Sequence, residues 1–522
     1  MYAIVFYSCV ELCTMKLNFT LLLLIVLPSF ASAQTWNQDI APIIYDHCGK
    51  CHHDGGIGPM SLVTYADAVD EIDGMVEAIL HDEMPPWPAD HTYTSFIGEN
   101  VILEEEKQAI IGWMDTGTPE GTGTAPPVPS YNDGYVIAEP DEIFSIPDYN
   151  VSLSGDEYRT FVVPSTSAED RNIGAVELDP GNTEIVHHIL VFYDPTNISQ
   201  QFDDATVEPG YPSNGGSFPS DEAQLIGVWV PGMGPTILPE NLAIEFPGGS
   251  DIVFEVHYAP GSQGMSANVQ VRLEYKELPI IRPVWHDPLL YHGPPSLMEP
   301  LFIPANTIQE FHQVSQEAPI DLSIISLFPH MHLLGQTYKV FGLTEEQDTV
   351  RFIDVDHYDF HWQFSYMFPT MKLLPQGSVL HGYATYDNTE ENHHNPSIPP
   401  IDVGLGEGTT DEMMICFFMY TFYLPGDENI SLVGVTENPY DEKQPLFAWP
   451  NPADESVTID IPNHIGIPDR VFLYDRSGKQ FNADYTVSGG TLRLKLDDLA
   501  PGIYQVSVIE GQAHFVSRFI RK

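Results

Sequence analysis

From Tyr131 to about Leu432 the chain is cut into short apolar runs by clusters of Pro, Gly, Asn and Asp. Arg159–Val163, Ile185–Tyr193, Ile252–Tyr258 and Val269–Tyr275 are four such runs. Segments of this length and composition, closed by turn formers, predict antiparallel strands. A sheet built from them must cover its apolar face with a second sheet, so the segment predicts sandwiches. It is too long for one sandwich of about 100 residues. Two are expected, over 136–280 and 281–432, with the joint near Leu278–Pro283.

The flanks have other textures. Ala66–Leu80 and Leu103–Met114 carry apolar residues at three- and four-residue spacing, which predicts a small all-α domain over 35–120. Gly121–Ser130 is rich in Gly, Thr and Pro and reads as the core of a linker, 121–135. From Gln444 onward there are 8 basic and 9 acidic residues, whereas the whole chain has 20 and 74. The negative charge therefore lies upstream, and 444–522 is expected to be a separate module, an Ig-like β-sandwich. The formal charge of −54 disfavours nucleic acids and anionic lipid surfaces as partners.

The first 33 residues read as an export signal: Lys16, an apolar run through Leu21–Leu27, and Ala31-Ser32-Ala33 as cleavage site. The positive region begins only at Met15, which predicts the true start there. The run is too short for a membrane span, and no other span is expected in the mature chain. Export implies an oxidising compartment, yet only Cys48, Cys51 and Cys416 follow the cleavage site. Three cysteines make no disulfide framework, so core burial must hold the domains together.

Cys48-Gly49-Lys50-Cys51-His52 is a C-x-x-C-H run, the attachment signature of c-type haem, with His52 as axial ligand. Met84, followed by Pro85-Pro86, is the preferred second axial ligand. Met60 and an open sixth position are the alternatives. The segment resembles cytochrome c-like domains fused to secreted bacterial enzymes, through Gly58-Pro59-Met60-Ser61-Leu62, Met84–Asp90 and Trp113-Met114-Asp115.

Three His/Met clusters fall in the β-rich middle. Neighbours on a regular strand face opposite ways, so His187-His188 can reach one ion only where the strand is irregular. His257 ends an alternating run. In His330-Met331-His332 the two imidazoles share a face if the strand continues through them. Asp411-Glu412-Met413-Met414 then leads into the apolar strand Ile415–Tyr420. Imidazole together with thioether favours copper over zinc, since soft sulfur stabilises the cuprous state.

In that order the clusters resemble the copper type II, ascorbate-dependent monooxygenases, the peptidylglycine α-hydroxylating and dopamine β-monooxygenase type, over roughly 136–430. Tyr386-Asp387-Asn388-Thr389 adds to the likeness. The resemblance implies two copper ions. His187, His188 and His257 would hold the electron-transfer copper, and His330, His332 and Met413 the oxygen-activating, catalytic one. It also implies dioxygen and a small-molecule substrate, two jelly-roll-like sandwiches, and ascorbate as reductant; the fused haem, with its own electron donor, offers a different route to the first copper. The peptide-amidating members carry an Arg two residues before the His-x-His pair, and Asn and Tyr after the ligand Met. Here Phe328, Ile415 and Phe417 stand in those places, so a neutral or apolar substrate is expected rather than a peptide carboxylate. The competing readings are a surface copper or electron carrier without catalysis, and a metal-dependent hydrolase. The absence of an acidic ligand beside the histidines argues against a hydrolase.

Trp449-Pro450-Asn451-Pro452, Val471–Lys479, Leu499–Val506 and the basic end Arg518–Lys522 resemble the type IX secretion sorting domain. This implies a Gram-negative host, the type IX machinery as partner, and a secreted or cell-surface product.

Overall fold

The computed structural model describes residues 34–432, apart from 132–133, 166, 214–219, 221 and 278–281. In the tail it describes 448–449, 453–460, 470–475, 480–481, 485–488, 491–496, 499–510 and 513–522. The export segment 1–33 lies outside the described residues, as do most of the joint 278–283 and parts of the tail motifs. Among the described residues no helix is long and apolar enough to cross a membrane.

A π-helical turn, Trp36–Ile40, runs into α1 (Ala41–His47). The expected helix Ala66–Leu80 is interrupted at Glu71 and appears as α2 (Tyr65–Asp70) and α3 (Ile72–Leu80), followed by α4 (Glu104–Asp115). The Thr64 hydroxyl accepts from the Asp67 amide and caps α2. Trp36, Ile40, Ile44, Ile79, Ile110 and Trp113 form a core of their own. The linker residues lie back on this unit: the Gly123 carbonyl accepts from the Asn37 side chain, and Tyr131 stacks on His53 at 4.4 Å.

Between α3 and α4 the chain leaves that core. Trp87, Ala89 and Phe96 pack into the core of the second sandwich, and Phe96 stacks on Phe368 at 5.3 Å. The Asp90 amide donates to Asp354 and the Ile97 amide to Met367, both at 2.8 Å. A strap from the helical segment is thus bonded along the second sandwich.

The first sandwich contains β1 (Glu142–Ser145), β2 (Glu157–Pro164), β3 (Arg171–Asp179), β4 (Val186–Asp194), β5 (Tyr211–Pro212), β6 (Gln224–Trp229), β7 (Thr236–Ile237), β8 (Leu242–Phe246), β9 (Asp251–Tyr258) and β10 (Gln270–Tyr275). One sheet runs β1-β10-β3-β8, with β7 also on β3; the other runs β5-β2-β9-β4-β6. The short β11 (Arg282–Pro283) joins β8 in parallel. From β11 the Arg282 guanidinium reaches Asp427 of the second sandwich in a buried, two-armed ion pair at 2.7 and 3.0 Å.

The second sandwich contains β12 (Trp285–Leu290), β13 (Phe302–Ile303), β14 (Thr307–Val314), β15 (Leu322–His330), β16 (Gly335–Leu343), β17 (Thr349–Val355), β18 (Tyr366–Leu374), β19 (Val379–Asn388), β20 (Val403–Gly404) and β21 (Ile415–Phe422). Its sheets run β12-β21-β15-β18 and β14-β19-β16-β17, with β13 paired to β20. β19 alternates buried and half-buried positions along its length, as a strand with one face on a core must. The tail forms two further four-stranded sheets, as its sequence led one to expect of a sandwich.

The two central sandwiches meet through apolar side chains. Leu190, Phe192, Leu225, Val228 and Val253 of the first pack on Phe328, Met413, Ile415 and Phe417 of the second. Each fully buried residue of this kind contributes about 1.5–3 kcal/mol to holding the faces together. This seam brings the two histidine clusters face to face.

Candidate metal centres

The first cluster is made by sheet register. The pairing of β4 with β9 slips between Val186 and His188, leaving His187 as an extra residue. A bulge of this kind turns a side chain out of the strict alternation, so His187 and His188 both point at His257 on β9. Their ligand atoms and that of His257 lie within 4.8 Å of one another. His188 Nδ1 is 3.1 Å from His187 Nδ1 and 3.4 Å from His257 Nδ1.

Hydrogen bonding fixes what those nitrogens offer. His257 Nε2 donates to Asp156 Oδ1 at 2.8 Å, so its Nδ1 carries a lone pair in the neutral ring. Three Nδ1 atoms converging at such distances cannot all be satisfied by one another. A soft or borderline cation satisfies them together. Burial, then the neighbouring His257, holds the His187 pKa down at about 3. Burial drives His188 far down as well, and lowers His257 against the opposing pull of Asp156. These rings are neutral at ordinary pH and available to a metal. Tyr158 stacks on His257 at 4.0 Å and closes the site from the side.

The second cluster is built differently from the expected strand pair. β15 ends at His330, and His332 stands beyond it, so the two imidazoles do not share a strand face. The strand stops because its next amides are taken by side chains. Met331 N donates to Tyr358 Oη, and His332 N and Leu334 N donate to the buried Glu412 carboxylate at 3.0 and 2.7 Å. The rings end 5.1 Å apart at 83°.

His330 Nδ1 bonds Gln363 Oε1 at 2.5 Å, and His332 Nδ1 bonds the Asp411 carbonyl at 3.0 Å. Both acceptors are oxygens, so each Nδ1 is the donor and each Nε2 holds the free lone pair. Burial first, then the other's charge, lowers His330 to about 3; burial lowers His332 to about 4. Met413 is 2% exposed, and its carbonyl accepts from Tyr386 Oη at 2.6 Å. His330, His332 and Met413 line one narrow chamber of about 30 Å³, together with His188, Phe328, Ile415 and Phe417. Two imidazole lone pairs and a thioether suit a cuprous ion.

Several side chains here escaped the sequence reading. Glu412 accepts from the amides of His332, Leu334 and Met413, and so ties the His-x-His segment to the Met413 segment. Burial pushes its carboxyl up to about 8 against those three donors. The turn after β17 supplies Tyr358, Phe360 and Gln363. The histidine-and-aromatic run His357–Phe364 was the one local signal for it. His292 is buried near His330 and has an Nδ1 without a hydrogen-bond partner. With Tyr158, Glu407, Asp411 and Met413 it lines a cleft of about 980 Å³.

Cys48 and Cys51 are both half-buried, and burial pushes the Cys48 thiol up to about 12. His52 Nδ1 bonds the Met60 carbonyl at 3.1 Å, leaving Nε2 free, which fits an axial imidazole. That bond puts the Met60 backbone behind His52, on the side away from its free nitrogen. Met84 is half-buried just past α3, its amide bonded to Ala78.

The profile of the copper type II ascorbate-dependent monooxygenase C-terminal domain matches residues 303–434. His330, His332 and Met413 fall inside that match; His187, His188 and His257 fall outside it. The secretion system C-terminal sorting domain matches residues 448–522. No curated protein matches the chain. Among solved structures, peptide:N-glycanase F, a glycosylasparaginase from Flavobacterium meningosepticum, is 11% identical, with 54% of this chain and 96% of that one covered at a TM-score of 0.23. The VP2 subviral particle of infectious bursal disease virus is 10% identical, with 59% and 77% covered at 0.16. Likenesses so faint bear on neither function nor fold. The chain therefore carries a copper type II monooxygenase-like domain and a type IX sorting domain, and it is a secreted or cell-surface protein of a Gram-negative bacterium.

Proposed function

We propose that this protein is a secreted copper monooxygenase that hydroxylates a C–H bond of a neutral or weakly polar small molecule with dioxygen. The observation that carries the proposal is the pairing of two neutral, largely buried donor sets across one seam. Three converging imidazoles stand on one side, and two imidazoles with a thioether stand on the other, inside the matched domain. Copper bound there supplies one-electron storage at the first set and oxygen activation at the second.

The chain's own groups do the rest. Asp156 orients His257, Gln363 and the Asp411 carbonyl fix the tautomers of His330 and His332, and Tyr386 with Glu412 holds the Met413 segment. Phe328, Ile415 and Phe417 give the chamber an apolar wall opposite its imidazoles. A chamber of about 30 Å³ admits a molecule of the size of water or dioxygen and no aromatic substrate. The substrate's route is the larger cleft, which shares Tyr158, Glu407 and Met413 with the chamber. A carboxylate would enter it against Asp156, Glu407 and Asp411, and would find no free cation among the described lining residues, since Arg159 is bonded to Pro209, Gly210 and Glu157.

We further propose that Cys48, Cys51 and His52 hold a c-type haem that feeds electrons to the first set. Met84 is preferred over Met60 as the second axial ligand, because the Met60 carbonyl is engaged behind His52. The test of the whole reading is oxygen uptake by the copper-loaded, reduced protein over a panel of neutral aromatic and aliphatic compounds, with a glycine-extended peptide in competition. Substrate-dependent uptake with a hydroxylated product is expected, with little turnover of the peptide. Uptake without product, or efficient amidation, would overturn it.

A further inference from the structure

We infer that Phe360 is the electron path between the two centres. The inference deepens the copper reading above and rests on it. Phe360 is 6% exposed and sits in the turn between β17 and β18. Its ring stacks on His187 with 5.1 Å between centroids and 20° between planes. The same ring meets His332 edge-on at 5.6 Å and 77°. Both are contact distances for aromatic rings, so one side chain touches an imidazole of each centre. His187, Phe360 and His332 make an unbroken row of π systems across the seam.

The competing route crosses the chamber, with His188 on one wall and His330, His332 and Met413 on the other. Electronic coupling decays exponentially with distance and is carried best through atoms in contact, which the ring row supplies. The ring row is therefore the better conductor.

The turn is also held from both ends. Tyr358 Oη accepts from the Met331 amide at 2.9 Å and donates to the Met331 carbonyl at 2.8 Å. Gln363 fixes His330, and its own amide donates to the Phe360 carbonyl at 2.8 Å. His361 adds an edge contact to His187 at 6.0 Å. Phe360 is thus anchored to the second centre while lying on a ligand of the first.

With copper bound, His187, His188 and His257 would hold the ion that gives up one electron and His330, His332 and Met413 the ion that takes it, with the Phe360 ring in contact with a ligand of each. No bond forms or breaks and no proton moves. Phe360 is neither oxidised nor reduced. It is a positioning residue that supplies orbital overlap, and the electron originates from the haem or an external reductant.

The test uses the full chain loaded with copper, as wild type and as Phe360→Leu, Phe360→Tyr and Phe360→Trp. A one-electron reductant pulse is followed by rapid-freeze electron paramagnetic resonance, with His187→Ala and His330→Ala giving the single-centre reference signals. Redistribution of the electron between the coppers should slow roughly tenfold or more in Phe360→Leu, equivalent to about 1.4 kcal/mol of barrier. Copper content should stay at the wild-type value while the melting temperature falls only by the cost of trimming one buried side chain, and Phe360→Tyr and Phe360→Trp should restore the rate. An unchanged rate in Phe360→Leu with two coppers bound overturns the inference and leaves the monooxygenase reading standing. A wild-type chain that holds fewer than two coppers overturns both.

Discussion

The two centres reach similar chemistry by opposite constructions. His187, His188 and His257 are set by the backbone of one sheet, through a single bulge in β4 against β9. His330, His332 and Met413 are set by side chains that terminate a strand: Glu412, Tyr358, Tyr386 and Gln363. A site made by register has few ways to fail short of unfolding the sheet. One made by buried side-chain hydrogen bonds fails when any of them is removed. The first centre is expected to be robust and the second fragile.

The largest expected effect is therefore at Glu412. Glu412→Ala leaves three buried amides without an acceptor, at about 1–3 kcal/mol for each unsatisfied group. The free energy of unfolding should drop by several kcal/mol, with copper lost from the second centre and kept at the first. Equal loss at both centres would end the contrast. Next, Asp156→Asn removes the carboxylate behind His257, and copper affinity at the first centre should weaken about 10–100-fold. Metal titration of His330→Ala, in which only that centre remains, measures it; an unchanged dissociation constant would show that Asp156 does not orient the ligand.

The same contrast explains how much could be read from the chain. The strand runs around His187 and His257, and the helical spacing in Ala66–Leu80 and Leu103–Met114, are local patterns. They fall on β4, β9, α2 with α3, and α4. The bulge at His187 was stated only as a condition, because register belongs to two strands and neither shows it alone. The strand assumed through His330-Met331-His332 ends at His330, since Glu412 and Tyr358 come from distant segments to take its amides. The strap Trp87–Ile97 was placed with the helices by its position in sequence. Its aromatic residues instead found partners in the second sandwich. Long-range side-chain hydrogen bonds leave no periodic trace.

A smaller effect is the response of the apo protein to acid. His187, His330 and His332 have folded pKa values near 3 to 4, against about 6.5 for a free imidazole. Between about 6.5 and 4 the unfolded chain binds protons that the folded chain refuses, so stability falls as pH falls through that window. Glu412 has the opposite sign. Its folded value near 8 lies above the ordinary carboxylate value of about 4.3, so its contribution is present at low pH and lost as pH rises toward 8. The metal-free melting temperature should accordingly pass through a maximum in the near-neutral range. Glu412→Gln should keep the acid limb and flatten the alkaline one. Survival of the alkaline limb in that variant would assign it to another group.

The smallest expected effect is at Gln363. Gln363→Ala removes one orienting bond to His330 and should weaken copper at the second centre several-fold, within the lower part of the range of about 10–100-fold that such partners command. A loss at the first centre instead would reverse the proposed division.

The most direct test of the central claim is metal content with copper X-ray absorption on the reduced full-length protein. The account predicts two coppers per chain and a sulfur scatterer that disappears in Met413→Ala. It also predicts one copper remaining in each of His187→Ala and His330→Ala, three-imidazole in the latter and sulfur-containing in the former. A single metal, zinc in place of copper, or a sulfur signal that survives Met413→Ala would contradict it.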